Sequence, residues 1–219
     1  MHEHLATYYH ERANEYEKVY QIKDEQEDLL TAANYFQKTF AEKSVIEIAC
    51  GTGYWTEQIS KTASSIFSTD INHSLIDIAK KRTYFSPMQF EAADMYKIDT
   101  AHKYDGLFAG FIWSHILIQD LDSFILNMSK LITKEGDLVF IDSKQVEGGV
   151  HAMENISRID LYGNTFQTRK LENGKQFEVL KNFPDHSFLI NKLEGISTDI
   201  RILDLKHYWI LHAKNNAFV

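Results

Sequence analysis

The sequence is nearly without cysteine. Cys50 stands alone, so no intrachain disulfide can form, and a reducing, cytoplasmic compartment is expected. Long apolar runs are also missing. The longest, Leu107 to Trp113, falls far short of the ~18 residues that mark a membrane-spanning helix, so no membrane association is expected. Basic charge is scarce: 23 Lys and Arg against 31 Asp and Glu leave a net charge of −8. A protein that reads a nucleic-acid backbone needs cations to neutralise phosphates, so nucleic acid is not an expected partner. There are only two prolines, Pro87 and Pro184, and no repeat or low-complexity stretch. The start, Met1-His2-Glu3-His4-Leu5, lacks the basic–apolar–small order of an export signal. The Asn-X-Ser triplets at Asn72, Asn127 and Asn155 are therefore expected to be chance matches to a glycosylation pattern.

The residues that are present suit an ordinary globule: 219 in all, 44% hydrophobic and 25% charged. That is enough for a sizeable core in a single domain. Tyr9, Ala13, Tyr16 and Tyr20 recur at helical spacing and predict a helix over about 5–20. A second helix is expected from about Gln26 to Phe40, both lying over one end of the sheet that follows. From Ser44 the pattern alternates. Strands are expected at Val45–Ala49, Ser65–Thr69, Gln89–Ala92, Tyr104–Phe111 and Asp137–Asp142. Helices between them are expected at about 55–61 and 74–82, then one carrying Phe124, Ile125, Met128, Leu131 and Ile132 and closed by Lys134-Glu135-Gly136. Such alternation predicts βαβ units in a doubly wound α/β fold, with ligands at the C-terminal ends of the strands. It lapses over 143–183, where Thr165–Leu171 and Gln176–Leu180 flank Asn173-Gly174, a hairpin signal. A helix over Asp185–Leu193 and two adjacent strands, Ser197–Leu205 and His207–Ala213, complete the chain. The connection between those strands is too short for a helical crossover, so they should pair antiparallel.

One stretch carries chemistry. Val45-Ile46-Glu47-Ile48-Ala49-Cys50-Gly51-Thr52-Gly53 reads as a buried strand running into a small-residue turn. Ala49, Gly51 and Gly53 let a ligand approach the backbone. Thr56 stands where a dinucleotide turn carries its third Gly, which weakens an oxidoreductase reading. No Gly-Lys-Ser/Thr exists for a nucleoside triphosphate. No His-Glu-x-x-His exists either, and His2-Glu3-His4 is weak, so no metal is expected.

With Asp70 after the second strand, Asp94 after the third and the closing antiparallel pair, this turn resembles that of class I S-adenosylmethionine-dependent methyltransferases. The resemblance is fullest over 44–142. The N-terminal Tyr8-Tyr9-x-x-Arg12-Ala13-x-x-Tyr16 is similar to the start of many small-molecule members. The resemblance implies a Rossmann-like, mostly parallel seven-stranded sheet with a C-terminal antiparallel hairpin, an N-terminal helical lid and an inserted β-hairpin. It also implies S-adenosyl-L-methionine as cofactor. Glu47, Ala49, Gly51 and Gly53 would then hold its methionine part. Asp70, beside Ile71, would accept hydrogen bonds from the ribose hydroxyls. Asp94 and Met95 would meet the adenine, and Phe111 the transferring methyl. Alternatives stay open for single residues: Asp70 could cap a helix, and Glu47 could bond to neighbouring backbone.

In this class the turn after the fourth strand flanks the reacting methyl. His115 is the candidate general base, by its near-neutral ordinary pKa. Tyr8, Tyr9, Tyr16, Trp113, Tyr162 and Arg169 are candidates for the substrate pocket. No Asn-Pro-Pro-Tyr-like tetrad follows the fourth strand, and Cys50 has no preceding Pro. Both disfavour methylation of nucleic-acid bases. Phe111 stands where metal-dependent catechol-type members have an Asp.

The expectation is one methyltransferase domain over 1–219. Its parts are N-terminal helices (1–43), a cofactor core (44–142), an inserted substrate or oligomer region (143–183) and a C-terminal helix and strand pair (184–219). Its expected activity is transfer of a methyl to an O, N or C atom of a small molecule, with a homodimer as the assembly considered. A non-catalytic adenosyl-ligand-binding or assembly subunit, or a protein methyltransferase, is the alternative.

Overall fold

A computed structural model describes residues 2–99, 101–147 and 155–217, with side chains from residue 4 onward. The His2 and Glu3 side chains and residues 148–154 of the inserted region lie outside the described residues.

The apolar runs that alternate with helical patterns become the central strands. In chain order these are β1 (Ser44–Ile48), β2 (Ser65–Asp70), β3 (Met88–Ala92), β4 (Tyr104–Gly110) and β5 (Ile132–Ser143). With β9 (Ser197–Asp204) and β10 (Tyr208–Asn215) they form one sheet, ordered β3-β2-β1-β4-β5-β10-β9. β1 to β5 run parallel, while β10 pairs antiparallel with both β5 and β9. The chain order reverses between β1 and β4, which opens a crevice at their C-terminal ends.

Both faces of the sheet are covered. On one face α5 (Leu121–Ser129) and α6 (His186–Leu193) pack Phe124, Ile125, Leu189 and Leu193 against Ile46, Leu138 and Phe140. On the other, α2 (Gln26–Thr39) and α3 (Tyr54–Ser60) press Phe36, Ala33 and Ile59 onto Val45, Phe108 and Val139. This corrects the expected position of α2, which covers a face rather than an end. Its buried stripe, Leu29, Ala32, Ala33 and Phe36, is as broad as a helix needs to lie flat on a sheet.

Two further corrections concern periodicity. The expected single helix over 5–20 is α1 (His2–Arg12) followed by a 3-10 turn over Tyr16–Gln21. In a continuous helix Tyr9 and Tyr16 would rise ~10.5 Å apart along the axis. The break brings their rings to 5.8 Å and those of Tyr16 and Tyr20 to 5.9 Å, so aromatic packing over the crevice outweighs the helical spacing. Ile132, expected on a helix, begins β5. Lys134-Glu135-Gly136 is a bulge and not a helix stop: Tyr104 pairs with Ile132 but Gly106 with Asp137, and Glu135 takes a positive φ of 63°. The apolar spacing of Met128 and Ile132 fits a helix and a buried strand equally, and pairing with β4 decides between them.

The inserted region holds a separate antiparallel sheet of β6 (Ile156–Ile159), β7 (Thr165–Lys170) and β8 (Gln176–Leu180). The Asn173-Gly174 hairpin is formed, with Gly174 at φ +86°. β6 carries no period-two signal, because a register shift lies between Ile156 and Arg158. Among the described residues no helix is long and apolar enough to cross a membrane.

Candidate active site

The turn after β1 is built from left-handed residues. Ala49, Gly51 and Gly53 have φ of 55°, 57° and 81°. For Ala49 this costs about 1–2 kcal/mol, held in place by Cys50 N donating to Thr69 O and Gly53 N donating to Cys50 O. The two glycines serve different ends. A Cβ on Gly51 would meet only Tyr16 Cε1, at 3.8 Å, and Gly51 lines the crevice. A Cβ on Gly53 would stand 2.5 Å from the Tyr84 hydroxyl and 3.0 Å from Ala79 Cβ. Gly53 therefore admits the end of α4 (His73–Ala79) rather than a ligand, a correction to its expected role. Arg82, just beyond α4, clamps this turn. Its Nε donates to Thr52 O at 2.8 Å, and its guanidinium pairs with Glu57 and Glu17.

Glu47 also departs from expectation. It is 1% exposed and does not line the crevice; its Oε2 accepts from Thr56 Oγ1 at 2.5 Å and Ser68 Oγ at 2.8 Å. It ties β1 to α3 and β2, and Thr56 supplies a hydroxyl where a dinucleotide turn has Gly. Burial pushes the Glu47 carboxyl up to about 7, against the two hydroxyl donors. Between its ordinary 4.5 and about 7 the folded chain holds a proton that the unfolded chain has released. Stability from this group is thus full below the lower value and falls as pH rises through the upper one. Glu47→Gln, which mimics the protonated side chain, is expected to flatten this loss, by roughly 2–3 kcal/mol. Urea denaturation of both proteins at about pH 5 and about pH 8 checks it, and parallel pH profiles would contradict it.

Asp70 ends β2 and is 6% exposed. Its Oδ2 accepts from Gly51 N at 2.9 Å and its Oδ1 from Asn72 N at 2.8 Å. Burial raises its pKa, while these N–H donors act the other way. Asp70 and the half-exposed Ile71 face a cavity of about 100 Å³. Asp94 and Met95, after β3, form its next wall, with Asp94 Oδ1 accepting from Tyr96 N and Oδ2 paired with Lys97. Phe111, at φ 57°, closes the β4 side. Leu5, Ala6 and Tyr9 of α1 cover the top, where Asn72 Nδ2 donates to Ala6 O at 3.1 Å. Among the described residues no lysine or arginine lines this cavity, and two carboxylates do.

A second cavity, of about 770 Å³, adjoins the first and shares Tyr9, Tyr16 and Phe111 with it. Tyr8, His115 and Arg169 line it, as do Arg12 and Lys181. His115 is buried; its Nδ1 lies 2.5 Å from Leu180 O and its Nε2 2.7 Å from the Tyr9 hydroxyl. The carbonyl can only accept, so Nδ1 carries the proton and Nε2 accepts from Tyr9. Burial, then the neighbouring Lys181 charge, lowers His115 to about 3. It is a neutral, hydrogen-bonded imidazole, unlike the freely titrating base expected.

Two expected pocket residues lie elsewhere. Trp113 is 1% exposed and packs against Phe140 and Trp209, inside the core. Tyr162 is 67% exposed on the β6–β7 turn and lines neither cavity. Sequence reasoning missed Lys181, which is buried and donates to Asp142 Oδ1 and Ser114 Oγ, both at 2.8 Å. Its one sequence signal is a lysine directly after the buried pair Val179-Leu180.

Sheet order, turn and strand-end carboxylates together resemble those of a class I methyltransferase domain. The match to known proteins agrees: residues 45–136 fit the family described as "Methyltransferase domain". That match over the strand–turn–helix core agrees with the resemblance drawn from its motifs. The chain is similar to malonyl-[acyl-carrier protein] O-methyltransferase of Bacillus cereus, 31% identical over 100 residues, covering 44% of this chain and 36% of that protein. The enzyme of that name from Priestia megaterium is 26% identical over 113 residues, covering 50% and 39%. The chain thus spans little more than a third of the curated relatives it matches. Among solved structures, a DhpI-SAH complex superposes with a TM-score of 0.77 at 19% identity, covering 99% of this chain and 97% of that one. The N-methyltransferase NodS of Bradyrhizobium japonicum superposes at 0.61 and 14% identity, covering 90% and 99%. At those identities the likeness concerns the fold alone.

The first cavity fits the cofactor of this class. Each Asp70 oxygen already accepts one backbone N–H, which leaves roughly two of a carboxylate's four acceptor positions for a ribose diol. A wall with carboxylates and no cation suits a sulfonium nucleoside and opposes a pyrophosphate.

Proposed function

We propose that this chain transfers the methyl group of S-adenosyl-L-methionine to an O, N or C atom of a small molecule held in the second cavity. The observation that carries the reading is the meeting of an acidic strand-end cavity and a larger chamber at Tyr9, Tyr16 and Phe111. When bound, the cofactor supplies an electrophilic methyl on a cationic sulfur. The chain's own residues hold and orient. Asp70 and Asp94 bind the nucleoside, Gly51 leaves room beside the backbone, and Phe111 separates the two chambers. In-line displacement gains most from such positioning, because two reactants held in line react as one. Tyr9 orients the acceptor with its hydroxyl direction set by His115, so any proton reaching His115 Nε2 passes through Tyr9. α1, laid over both chambers, excludes water.

Small-molecule transfer is supported by the second cavity, a recess of about 770 Å³ lined in part by α1, β7 and β8. Buried Cys50 supports a cytoplasmic setting, and the net charge of −8 opposes a nucleic-acid partner. The exposed Leu161 and Tyr162 of the β6–β7 turn suit a contact between two copies. Calorimetric titration with S-adenosylhomocysteine and with NAD tests the cofactor assignment. One S-adenosylhomocysteine per chain and no heat from NAD is the expected result. Binding of NAD alone would overturn the reading.

A further inference from the structure

One carboxylate joins two stretches of chain that lie 35 residues apart. Glu17 belongs to the 3-10 segment Tyr16–Gln21. Its Oε1 accepts from Thr52 Oγ1, and its Oε2 pairs with Arg82 Nη2. Thr52 stands in the middle of the left-handed turn and is fully buried. Arg82 donates from Nε to Thr52 O at 2.8 Å and pairs through Nη1 with Glu57 at 2.7 Å. Glu17 thus reaches the turn twice, once through a hydroxyl and once through a guanidinium. Burial disfavours the Arg82 charge; Glu17 and Glu57 more than offset this and raise its pKa. An isolated surface ion pair contributes little, but a network of shared partners contributes more.

The residues beside Glu17 are placed by the same fastening. Tyr16 lines both cavities, and a Cβ on Gly51 would lie 3.8 Å from Tyr16 Cε1. Tyr20 stacks on Tyr54 at the start of α3, with ring centroids 3.7 Å apart and planes 7° from parallel. No residue of the segment is fully buried. A segment with so little core burial opens easily, and its side-chain contacts decide where it rests.

We propose that Glu17 is a positioning residue for the cofactor, latching the Tyr16–Gln21 segment onto the Cys50–Gly53 turn and so holding Tyr16 as the wall shared by both cavities. The first cavity, at about 100 Å³, is smaller than the ~300 Å³ at which ligand pockets begin. Its walls therefore move apart when a cofactor enters, and the latch closes the Tyr16 side over the ligand. This rests on the methyl-transfer reading and adds to it how the cofactor is retained.

The test is calorimetry with S-adenosylhomocysteine on the full chain, paired with amide hydrogen exchange of the peptide holding residues 16–21. In the parent, the ligand should slow exchange in that peptide. Glu17→Ala should weaken the ligand by roughly tenfold or more and abolish this protection, while the ligand-free variant melts close to the parent. Glu17→Gln keeps an acceptor for Thr52 and loses the ion pair, so it should fall between the two. Thr52→Val removes the hydroxyl contact from the turn side. Combined with Glu17→Ala it should cost less than the two single losses added together. Lys175→Gln breaks a different tie of the N-terminal region, the 2.7 Å pair with Glu11, and should leave the affinity unchanged. If Glu17→Ala does not fold, Glu17→Gln and Thr52→Val carry the same comparison. The proposal is overturned if the Glu17 variants bind S-adenosylhomocysteine as the parent does, if the ligand leaves exchange at 16–21 unchanged in the parent, or if Lys175→Gln weakens binding equally. A lower melting temperature with unchanged affinity marks a purely structural contact and overturns it too. Failure of the parent to bind S-adenosylhomocysteine removes the underlying methyl-transfer reading, and the proposal with it.

Discussion

Asp70→Ala is expected to abolish measurable binding of S-adenosylhomocysteine while leaving the chain folded. Asp70 acts twice at the cavity. Its oxygens accept from Gly51 N and Asn72 N, and these bonds set the left-handed turn against the end of β2. The remaining acceptor positions face the cavity that would hold the ribose. Hydrogen bonds to a charged group are each worth about 1.5–3 kcal/mol. Loss of two from the ligand amounts to roughly 3–6 kcal/mol, or about two to four orders of magnitude in affinity. Asp70→Asn should fall between, because the amide keeps the shape and one acceptor but cannot accept at both ends. Calorimetry gives the affinities, and circular dichroism reports the fold. Undiminished binding by Asp70→Ala would remove this residue, and the crevice it closes, from the cofactor assignment.

The largest effect on stability is expected from Asp142→Ala. Asp142 is fully buried at the end of β5, where Oδ1 accepts from Lys181 Nζ and Ser143 N, each at 2.8 Å, and Oδ2 from Ser114 N at 2.9 Å. Burial alone would raise its pKa; the Lys181 ammonium and these donors overcome that and hold it ionised. Removing the carboxylate leaves the Lys181 ammonium buried without its counter-charge, with the Ser114 hydroxyl as its remaining hydrogen-bond partner among the described residues. Breaking a buried pair in this way costs about 3–5 kcal/mol. In a chain of this size each kcal/mol lowers the melting temperature by about 2–4 °C. Asp142→Leu combined with Lys181→Met should recover most of the loss, since no charge then stays buried. A thermal melt of the three proteins decides. If Asp142→Ala melts within a degree or two of the parent, the pair does not organise the β5–β8 junction.

Much of the lining of the first cavity was legible in the sequence, for a local reason. Ala49, Gly51, Asp70, Ile71, Asp94, Met95 and Phe111 all lie within a few residues of a strand's C-terminal end, and all line the first cavity. In a doubly wound sheet that position is enough to bring them together. Two residues of the same motif went astray for want of side-chain direction. Glu47 lies within the strand and points to Thr56 and Ser68, while Gly53 makes room for Tyr84 and Ala79. Neither direction is set by spacing.

The second cavity was barely legible. Trp113 sits next to the right turn but is drawn into the core by Phe140 and Trp209. Tyr162 belongs to the right insertion but faces outward. His115 was found, yet its state depends on Tyr9, 106 residues away, and on Leu180. The Lys181–Asp142 pair spans 39 residues.

The sequence by itself determined the fold class, the strand-end cavity and the class of cofactor, because alternating apolar runs and a small-residue turn act locally. Only the tertiary structure decided which side chains enclose the second chamber. Its walls come from α1, the β4–α5 turn, β7 and β8, segments whose meeting is governed by long-range burial and pairing. Its basic charge, within an acidic chain, exists only once Arg12, Arg169 and Lys181 have been folded onto the same space.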